Sequence, residues 1–201
     1  MWRWQGESAI VVRFDGPLIR ANERARAAAA AAATREDVLA AVPGARTVLA
    51  HLHDGADPAA VDAALRAAPP VAAGEIREHR IEVVYDGEDL VALGAERGLA
   101  PREIVALHTG ATYTVAFLGF MPGFAYLLGL PEPLYAARLA TPRTRVPAGA
   151  VAIAGVWAGV YPSASPGGWR LLGRTDASLF DASAVPPAML APGDVVRFAE
   201  A

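Results

Sequence analysis

The sequence predicts an α+β protein with two domains, and two patterns along the chain support this. Residues 1–78 alternate strand and helix signals in the order β-α-β-β-α-β, which is typical of a small ferredoxin-like α/β domain. In residues 79–201, from Thr112 onward, glycine or proline interrupts the apolar runs every few residues, as in an all-β barrel or sandwich. The proline-, alanine- and glycine-rich residues 69–74 are the predicted linker.

The strands of the first domain are predicted from apolar, β-branched runs. Residues 8–14 form one such run. Residues 37–42 and 47–52 are short apolar runs on either side of Pro43 and Gly44, which favour a turn. The sequence therefore predicts a hairpin at this point.

Two helices are predicted in the same domain. Residues 27–33 are a run of alanine, the best helix former, and Asn22 is the predicted N-cap of this helix. Asp57 and Pro58 supply a second N-cap and a first-turn proline for a helix that ends near Ala67.

The start of the second domain contains one strand and two helix signals. Residues 80–85 alternate as a strand does, and residues 101–108 predict a short helix with proline at its start. Glu88 and Asp89 precede a further helix, where acidic side chains suit the helix dipole. No chemistry is assigned to these two residues.

The composition excludes several kinds of chemistry. The chain has 201 residues, no cysteine and a formal net charge of -3, and all 18 of its Lys and Arg residues are arginine. Disulfides, thiolate zinc sites and a cysteine nucleophile are therefore excluded. The missing lysine also excludes a Walker A or Schiff-base lysine in this chain, and the charge disfavours a dedicated nucleic-acid binder.

The sequence contains no signal for a membrane. The first residues have no apolar segment typical of a signal peptide, and the alanine run at residues 27–33 is far shorter than the roughly 20 residues of a membrane span. We therefore expect a cytoplasmic protein that contacts neither membrane nor nucleic acid.

The candidate chemistry lies in arginines beside glycine-rich segments. Arg143 and Arg145 are two residues apart and share a face if the chain is extended, and Arg174 follows the flexible Gly167 and Gly168. Guanidinium forks beside backbone amides suit the oxygens of a carboxylate or phosphate. The alternative is that each arginine is an ordinary surface residue of a barrel strand.

Two interpretations are open for His108 and for the pair His51 and His53. His108 ends a predicted helix, so it is either a general base or a cation placed favourably at the helix C-terminus. His51 and His53 share one face of a strand and could start a metal site, but they lack further ligands and favour a solvated edge.

A series of short motifs runs in fixed order from about residue 80 to residue 198. The motifs are Leu107-His108, Gly119-Phe120 with Pro122-Gly123-Phe124, Pro142-Arg143-Thr144-Arg145-Val146-Pro147-Ala148-Gly149, Ile153-Ala154-Gly155, Tyr161-Pro162, Ser165-Pro166-Gly167-Gly168-Trp169 with Gly173-Arg174-Thr175, Leu179-Phe180-Asp181, Pro192-Gly193-Asp194 and Arg197-Phe198. Through them the chain resembles the allophanate hydrolase subunit 1 family, which includes the kinase inhibitor KipI and the B subunit of 5-oxoprolinase. The N-terminal part resembles this family only in the order of its elements.

The resemblance implies a fold and an assembly. It implies a cyclophilin-like β-barrel for the second domain and a partner of the allophanate hydrolase subunit 2 type, which is the C subunit of 5-oxoprolinase. The A subunit of that enzyme is a further expected partner. Such a complex converts 5-oxoproline, ATP and water to glutamate, ADP and phosphate, and one chain alone is inactive.

The same resemblance implies a role for ATP. A lactam carbonyl is a poor electrophile, and phosphorylation of its oxygen lets water open the ring. ATP is thus expected at the level of the complex, and no metal site is predicted.

The resemblance also gives the candidate residues their roles. The predicted catalytic residues are His108, Arg143 and Arg145. The predicted substrate-binding residues are Phe120, Pro122, Gly123, Phe124, Tyr161, Ser165, Gly167, Gly168, Trp169 and Arg174.

Two other functions share the same motifs, and the chain departs from the family at a few positions. A KipI-like inhibitor of a sensor histidine kinase and a subunit of a urea- or allophanate-processing amidohydrolase both stay open as alternatives.

Trp157 and Ala158 stand where the family commonly has glutamine and threonine. Ala150 and Ala125 replace a usual serine and a usual proline. The lost hydrogen-bonding groups bear on the substrate more than on the fold.

Overall fold

The computed structural model describes residues 2–70 and 76–201 and has two compact units, Met1–Glu75 and Ile76–Ala201. The predicted mixture of helices and strands is confirmed. Residues 71–74 of the predicted linker lie outside the described residues. The predicted division into residues 1–78 and 79–201 stays a prediction, and the first strand of the second unit begins at Glu78.

The first unit is a four-stranded antiparallel sheet with two helices. The strand order is β1-β2-β4-β3. Buried side chains alternate along β4 because one face of the sheet packs against the helices, and the buried alanines of α1 allow that helix to approach closely. The elements are β1 Trp2–Gln5, β2 Ala9–Arg13, α1 Leu18–Ala32, β3 Val38–Pro43, β4 Thr47–Leu52 and α2 Pro58–Arg66.

Two local predictions for this unit are confirmed. Strands β3 and β4 pair antiparallel and form the predicted hairpin. Asp57 is the N-cap of α2, where its carboxylate accepts a hydrogen bond from Ala59 N at 2.9 Å, and Pro58 begins the helix. Both signals are local, so they do not depend on distant contacts.

Of two other predictions for this unit, one is not confirmed and one is wrong. The element order begins with an additional strand, β1, and the described residues contain no strand between α2 and residue 70, so the ferredoxin-like order is not confirmed. Helix α1 begins at Leu18 after Pro17, and Asn22 is buried inside it instead of capping it. The Asn22 amide donates a hydrogen bond to Gly44 O at 3.1 Å and thereby ties α1 to the hairpin turn.

The second unit is built on a seven-stranded sheet that nearly closes on itself. The strand order is β12-β9-β10-β7-β6-β13-β5. The two edge strands meet where Val84 and Arg174 exchange backbone hydrogen bonds of 2.9 Å, which makes the sheet barrel-like. The elements are β5 Glu78–Val83, α3 Leu90–Arg97, α4 Pro101–Gly110, β6 Tyr113–Leu118, β7 Ala125–Leu128, a 3₁₀ turn Glu132–Leu134, β8 Arg143–Val146, β9 Ala150–Ala154, β10 Trp157–Val160, β11 Ser165–Gly167, β12 Arg170–Arg174 and β13 Val195–Glu200.

A glycine permits the close approach at this seam. A Cβ atom at Gly173 would lie 2.2 Å from Val84 O, so any side chain there would push the two edges apart. Strands β8 and β11 form a separate two-stranded sheet.

The helices of the second unit agree with the sequence. Helix α4 begins at Pro101 as predicted and extends to Gly110. Across residues 2–70 and 76–201, no helix combines the length and apolarity needed to cross a membrane.

Candidate functional site

An aromatic pocket in the second unit gathers most of the predicted substrate-binding residues. It has a volume of about 250 Å³. It is lined by Phe120, Phe124, Tyr126, Arg138, Pro142, Tyr161, Pro166, Gly167, Gly168 and Trp169. We call this cavity the aromatic pocket below.

The floor of the pocket consists of buried aromatic rings packed edge to face. The Phe124 ring centroid lies 5.2 Å from that of Tyr161 and 5.3 Å from that of Trp169, with nearly perpendicular planes. A Cβ atom at Gly167 would lie 2.5 Å from the Tyr161 hydroxyl, so glycine is needed there. Burial raises the pKa of Tyr161, while the nearby Arg138 opposes that rise. Tyr161 is therefore a neutral hydroxyl at physiological pH.

A strained turn carries Phe120 at the edge of the pocket. Phe120 has φ +70° and is 60% exposed, and Met121 N donates a hydrogen bond to Gly119 O at 2.8 Å across it. This is the γ-turn with positive φ, the strained form of that turn. The Phe120 ring lies 5.4 Å from the ring of Phe124. The turn therefore holds an exposed aromatic ring against the pocket at a conformational cost.

Arg138 is the charged residue of the pocket, and the sequence did not indicate it. Its guanidinium lies over the Trp169 ring, 5.9 Å from the centroid. Among the described residues no carboxylate pairs with it. Leu139 N donates a hydrogen bond to Gly168 O at 2.7 Å, which fixes the backbone beside Arg138 against the glycine loop.

Arg143 lies beside the pocket but has its own partners. Its Nη2 donates to Asp89 at 2.8 Å, its Nε to Glu88 at 3.1 Å and its Nη1 to Trp169 O at 3.3 Å. The buried Asp89 carboxylate also accepts from Leu171 N at 2.7 Å. All three guanidinium nitrogens are thus occupied, and this geometry fits a residue that positions the pocket wall. A catalytic role of Arg143 stays a prediction that these contacts argue against.

The other two arginines lie apart from the pocket. Arg145 is exposed and forms no ion pair within the described residues. Arg174 pairs with Asp86 at 2.9 Å and lines a second cavity of about 390 Å³ with Arg80 and Glu82. The structure therefore does not bring the three predicted arginines into one cleft, because Arg174 lines the second cavity whereas Arg143 and Arg145 line neither of these two cavities.

His108 lies in the barrel core and lines neither cavity. It is fully buried, its Nδ1 lies 2.7 Å from the Tyr85 hydroxyl, and its ring stacks on Phe198 at 4.5 Å. Burial lowers the pKa of His108 to about 3, so it is uncharged at neutral pH and is not the predicted cation at a helix end. The role of general base stays a prediction, and the lack of access from solvent argues against it.

The remaining predicted residues lie around the pocket without lining it. Pro122 is exposed and Gly123, at φ +78°, packs against Phe180. Ser165 pairs with Val146 where β8 and β11 meet. Within residues 2–70 and 76–201, no cluster of three or more histidine, cysteine or acidic side chains could hold a metal ion.

Trp157, one of the residues that depart from the family pattern, belongs to a cluster of aromatic rings. The Trp157 ring packs edge to face on Phe117 at 5.6 Å and on Tyr126 at 5.7 Å, and those two rings stack at 4.4 Å. Ala158 is buried and pairs with Leu127. Since Tyr126 also lines the aromatic pocket, Trp157 supports one wall of it by packing instead of by hydrogen bonding.

Sequence reasoning missed Arg138 and the pairing partner Asp89. Arg138 belongs to none of the glycine-rich motifs, and Asp89 carried only the signal of a helix start. The one usable signal for Arg138 was its place five residues before Arg143, in the segment that leads to β8.

Comparison with known proteins assigns the class. The profile of the carboxyltransferase domain family, subdomain C and D, matches residues 1–190, so this chain belongs to that family. It is 41% identical over 206 residues to the B subunit of the 5-oxoprolinase of Escherichia coli O157:H7, a match that spans 96% of this chain and 92% of that protein. The resemblance drawn from the motifs is confirmed.

Solved structures share the fold. The protein TTHA0988 is 38% identical with a TM-score of 0.85 over all of this chain, which spans only 40% of the length of TTHA0988. The K. lactis urea amidolyase has a TM-score of 0.77 at 17% identity, and this chain covers 15% of it. At that identity the likeness establishes the fold alone. In both proteins the matched fold is one part of a longer polypeptide.

Proposed function

We propose that this chain is the B subunit of an ATP-dependent 5-oxoprolinase, which converts 5-oxoproline, ATP and water to glutamate, ADP and phosphate. The observation that carries the proposal is its 41% identity, over nearly its full length, to a protein named as the B subunit of 5-oxoprolinase. In this proposal the nearly closed sheet is a cyclophilin-like barrel, the residues 1–78 and 79–201 act as two domains, and the complex is cytoplasmic because it consumes ATP.

The aromatic pocket is the proposed substrate site. Its volume of about 250 Å³ lies below the roughly 300–1,000 Å³ of pockets for drug-sized ligands, so it suits a small ring. Buried Phe124 and Trp169 offer apolar surfaces for a five-membered lactam, and the neutral Tyr161 hydroxyl offers a hydrogen bond. Of the substrate-binding residues predicted from the sequence, Phe120, Phe124, Tyr161, Gly167, Gly168 and Trp169 line this pocket.

The nucleotide is assigned to partner chains. This chain has no lysine, so it cannot supply the lysine that commonly holds the β- and γ-phosphates of ATP. We therefore propose that the A and C subunits of the enzyme bring ATP and complete the active site. The part of TTHA0988 that extends beyond this chain is consistent with a partner joined in one polypeptide in that protein.

The test is reconstitution of the complex. We expect that this chain, coexpressed with its candidate A and C subunits, releases glutamate and ADP in equal amounts from 5-oxoproline and ATP, and that each of the three proteins alone does not. Absence of product from the full assembly, beside an active 5-oxoprolinase assayed in parallel, would contradict the proposal.

Arg145 remains in the proposal as a group that acts across a contact between subunits. It is exposed and without an ion-pair partner in the described part of the chain, so its guanidinium is available to an anion or a partner chain. We expect Arg145→Ala to reduce turnover of the assembled complex by at least roughly tenfold, the loss of one charge-assisted hydrogen bond, with an unchanged unfolding midpoint. Arg102→Ala, at another exposed arginine, is the matched control. Kinetics equal to those of the control would show that Arg145 is an ordinary surface residue with no role in turnover.

A further inference from the structure

We infer that Arg138 binds the carboxylate of the substrate and selects cyclic amides that carry one. The inference rests on the proposed function, because it names the group that recognises the acid of 5-oxoproline. It adds a specificity-determining residue outside the motifs that define the family resemblance.

The charge of the pocket favours an anionic ligand. Among the described residues that line the aromatic pocket, Arg138 is the one ionisable cation, and none is acidic. Arg138 is itself exposed, so a carboxylate paired with it stays partly hydrated while the aromatic rings remove part of its water, and the cation offsets that loss.

Within the described part of the chain, no hydrogen bond or ion pair occupies the Arg138 guanidinium. Arg143, the neighbouring arginine, has all three nitrogens occupied by Glu88, Asp89 and Trp169 O. The Arg138 guanidinium lies over the Trp169 ring, with its central carbon 5.9 Å from the ring centroid. A guanidinium held by a ring contact alone keeps its N–H donors for a planar anion, which an arginine fork binds through two parallel hydrogen bonds.

The backbone around Arg138 is fixed before any ligand binds. Ala136 O accepts a hydrogen bond from Gly155 N at 2.6 Å, and Leu139 N donates one to Gly168 O at 2.7 Å. Between them, Arg170 Nε donates to Ala137 O at 3.4 Å. A segment held on both sides of a binding residue lowers the entropy lost on binding.

The experiment compares a lactam with and without the acid. In the assembled complex, Arg138→Gln is expected to raise KM for 5-oxoproline by roughly 10- to 100-fold, the loss of a bidentate charged pair. Competitive inhibition by 2-pyrrolidinone, which lacks the carboxylate, is expected to stay within about twofold because the aromatic walls remain. Arg138→Lys, which keeps the charge without the fork, should fall between the two. Arg102→Gln is the control.

Two results would overturn the inference. The first is a KM for 5-oxoproline that stays within about twofold of wild type in Arg138→Gln, since a bidentate pair is worth more than that. The second is an equal loss of 5-oxoproline and 2-pyrrolidinone binding, since that pattern means that Arg138 only maintains the shape of the pocket.

Equilibrium dialysis without ATP separates this inference from the proposed function. If the wild-type complex lacks turnover but binds 5-oxoproline, and Arg138→Gln abolishes that binding, the assigned reaction fails and the carboxylate site stands. If the wild-type complex binds no 5-oxoproline, both fail.

Discussion

Arg138 and Arg143 both contact Trp169, the first at its ring and the second at its backbone carbonyl oxygen. On the Arg143 side, two carboxylates neutralise the guanidinium, and the contacts join β8, β12 and the segment before α3. On the Arg138 side, none of the described lining residues carries a carboxylate, and a cavity opens. The difference teaches that residue type alone does not distinguish a structural arginine from a binding one. What distinguishes them is whether the fold already supplies the counter-charge.

The largest expected effect on stability comes from removing the ion pairs of Arg143. Arg143→Ala leaves the buried Asp89 carboxylate without its cation, so we expect the free energy of unfolding to fall by about 3–5 kcal/mol. Chemical denaturation of the variant and of wild type measures this loss. Arg174→Ala, which breaks the exposed pair with Asp86, is the control and should cost at most about 1 kcal/mol. A loss in Arg143→Ala no greater than in this control would remove the structural role of Arg143.

The next effect concerns His108, in the barrel core. The unfolded chain binds a proton at His108 near the ordinary pKa of 6.5, whereas the folded chain does so only near a pKa of about 3. Between these values the unfolded state holds more protons, so stability falls as the pH falls below about 6.5. From pH 7 to pH 5 we expect a loss of about 2 kcal/mol from this residue.

Unfolding curves measured between pH 7 and pH 5 test this expectation. Replacement of His108 by glutamine should flatten the pH dependence, even though it lowers stability at every pH. Equal slopes in wild type and in His108→Gln would show that His108 is not a buried neutral group.

The sequence predicted the parts of the molecule that local chemistry determines. The β3–β4 hairpin and the Asp57 cap depend on residues a few positions apart, and the structure confirms both. The repeated glycine and proline of the second half likewise predicted many short strands, because tight turns need those residues. The missed strand Trp2–Gln5 has only four residues, none of them buried, and it is defined by its pairing with β2.

The candidate site was harder to predict because distant residues create it. Asp89 and Arg143 pair across 54 positions, so the local signal of Asp89 indicated only a helix start. The backbone on either side of Arg138 is held by Gly168 and Gly155, which belong to other motifs. The aromatic residues Phe120, Phe124 and Trp169 were predicted as a group, and they do line one cavity. The pairing of charges, by contrast, depends on tertiary contacts that no spacing reveals.

The smallest expected effect concerns the strained turn at Phe120, which lies at the aromatic pocket on the Arg138 side. Phe120→Ala and Phe120→Gly both remove the ring, but only glycine accepts φ +70° without strain. We expect the glycine variant to be more stable than the alanine variant by about 1 kcal/mol, the lower end of the cost of a strained backbone conformation. Both variants should bind 5-oxoproline more weakly than wild type does, because both lose the ring at the pocket edge. Denaturation and substrate-binding curves measured on the same preparations check both expectations. If alanine and glycine are equally stable, the turn is not strained, and if binding is unchanged, Phe120 does not contact the substrate.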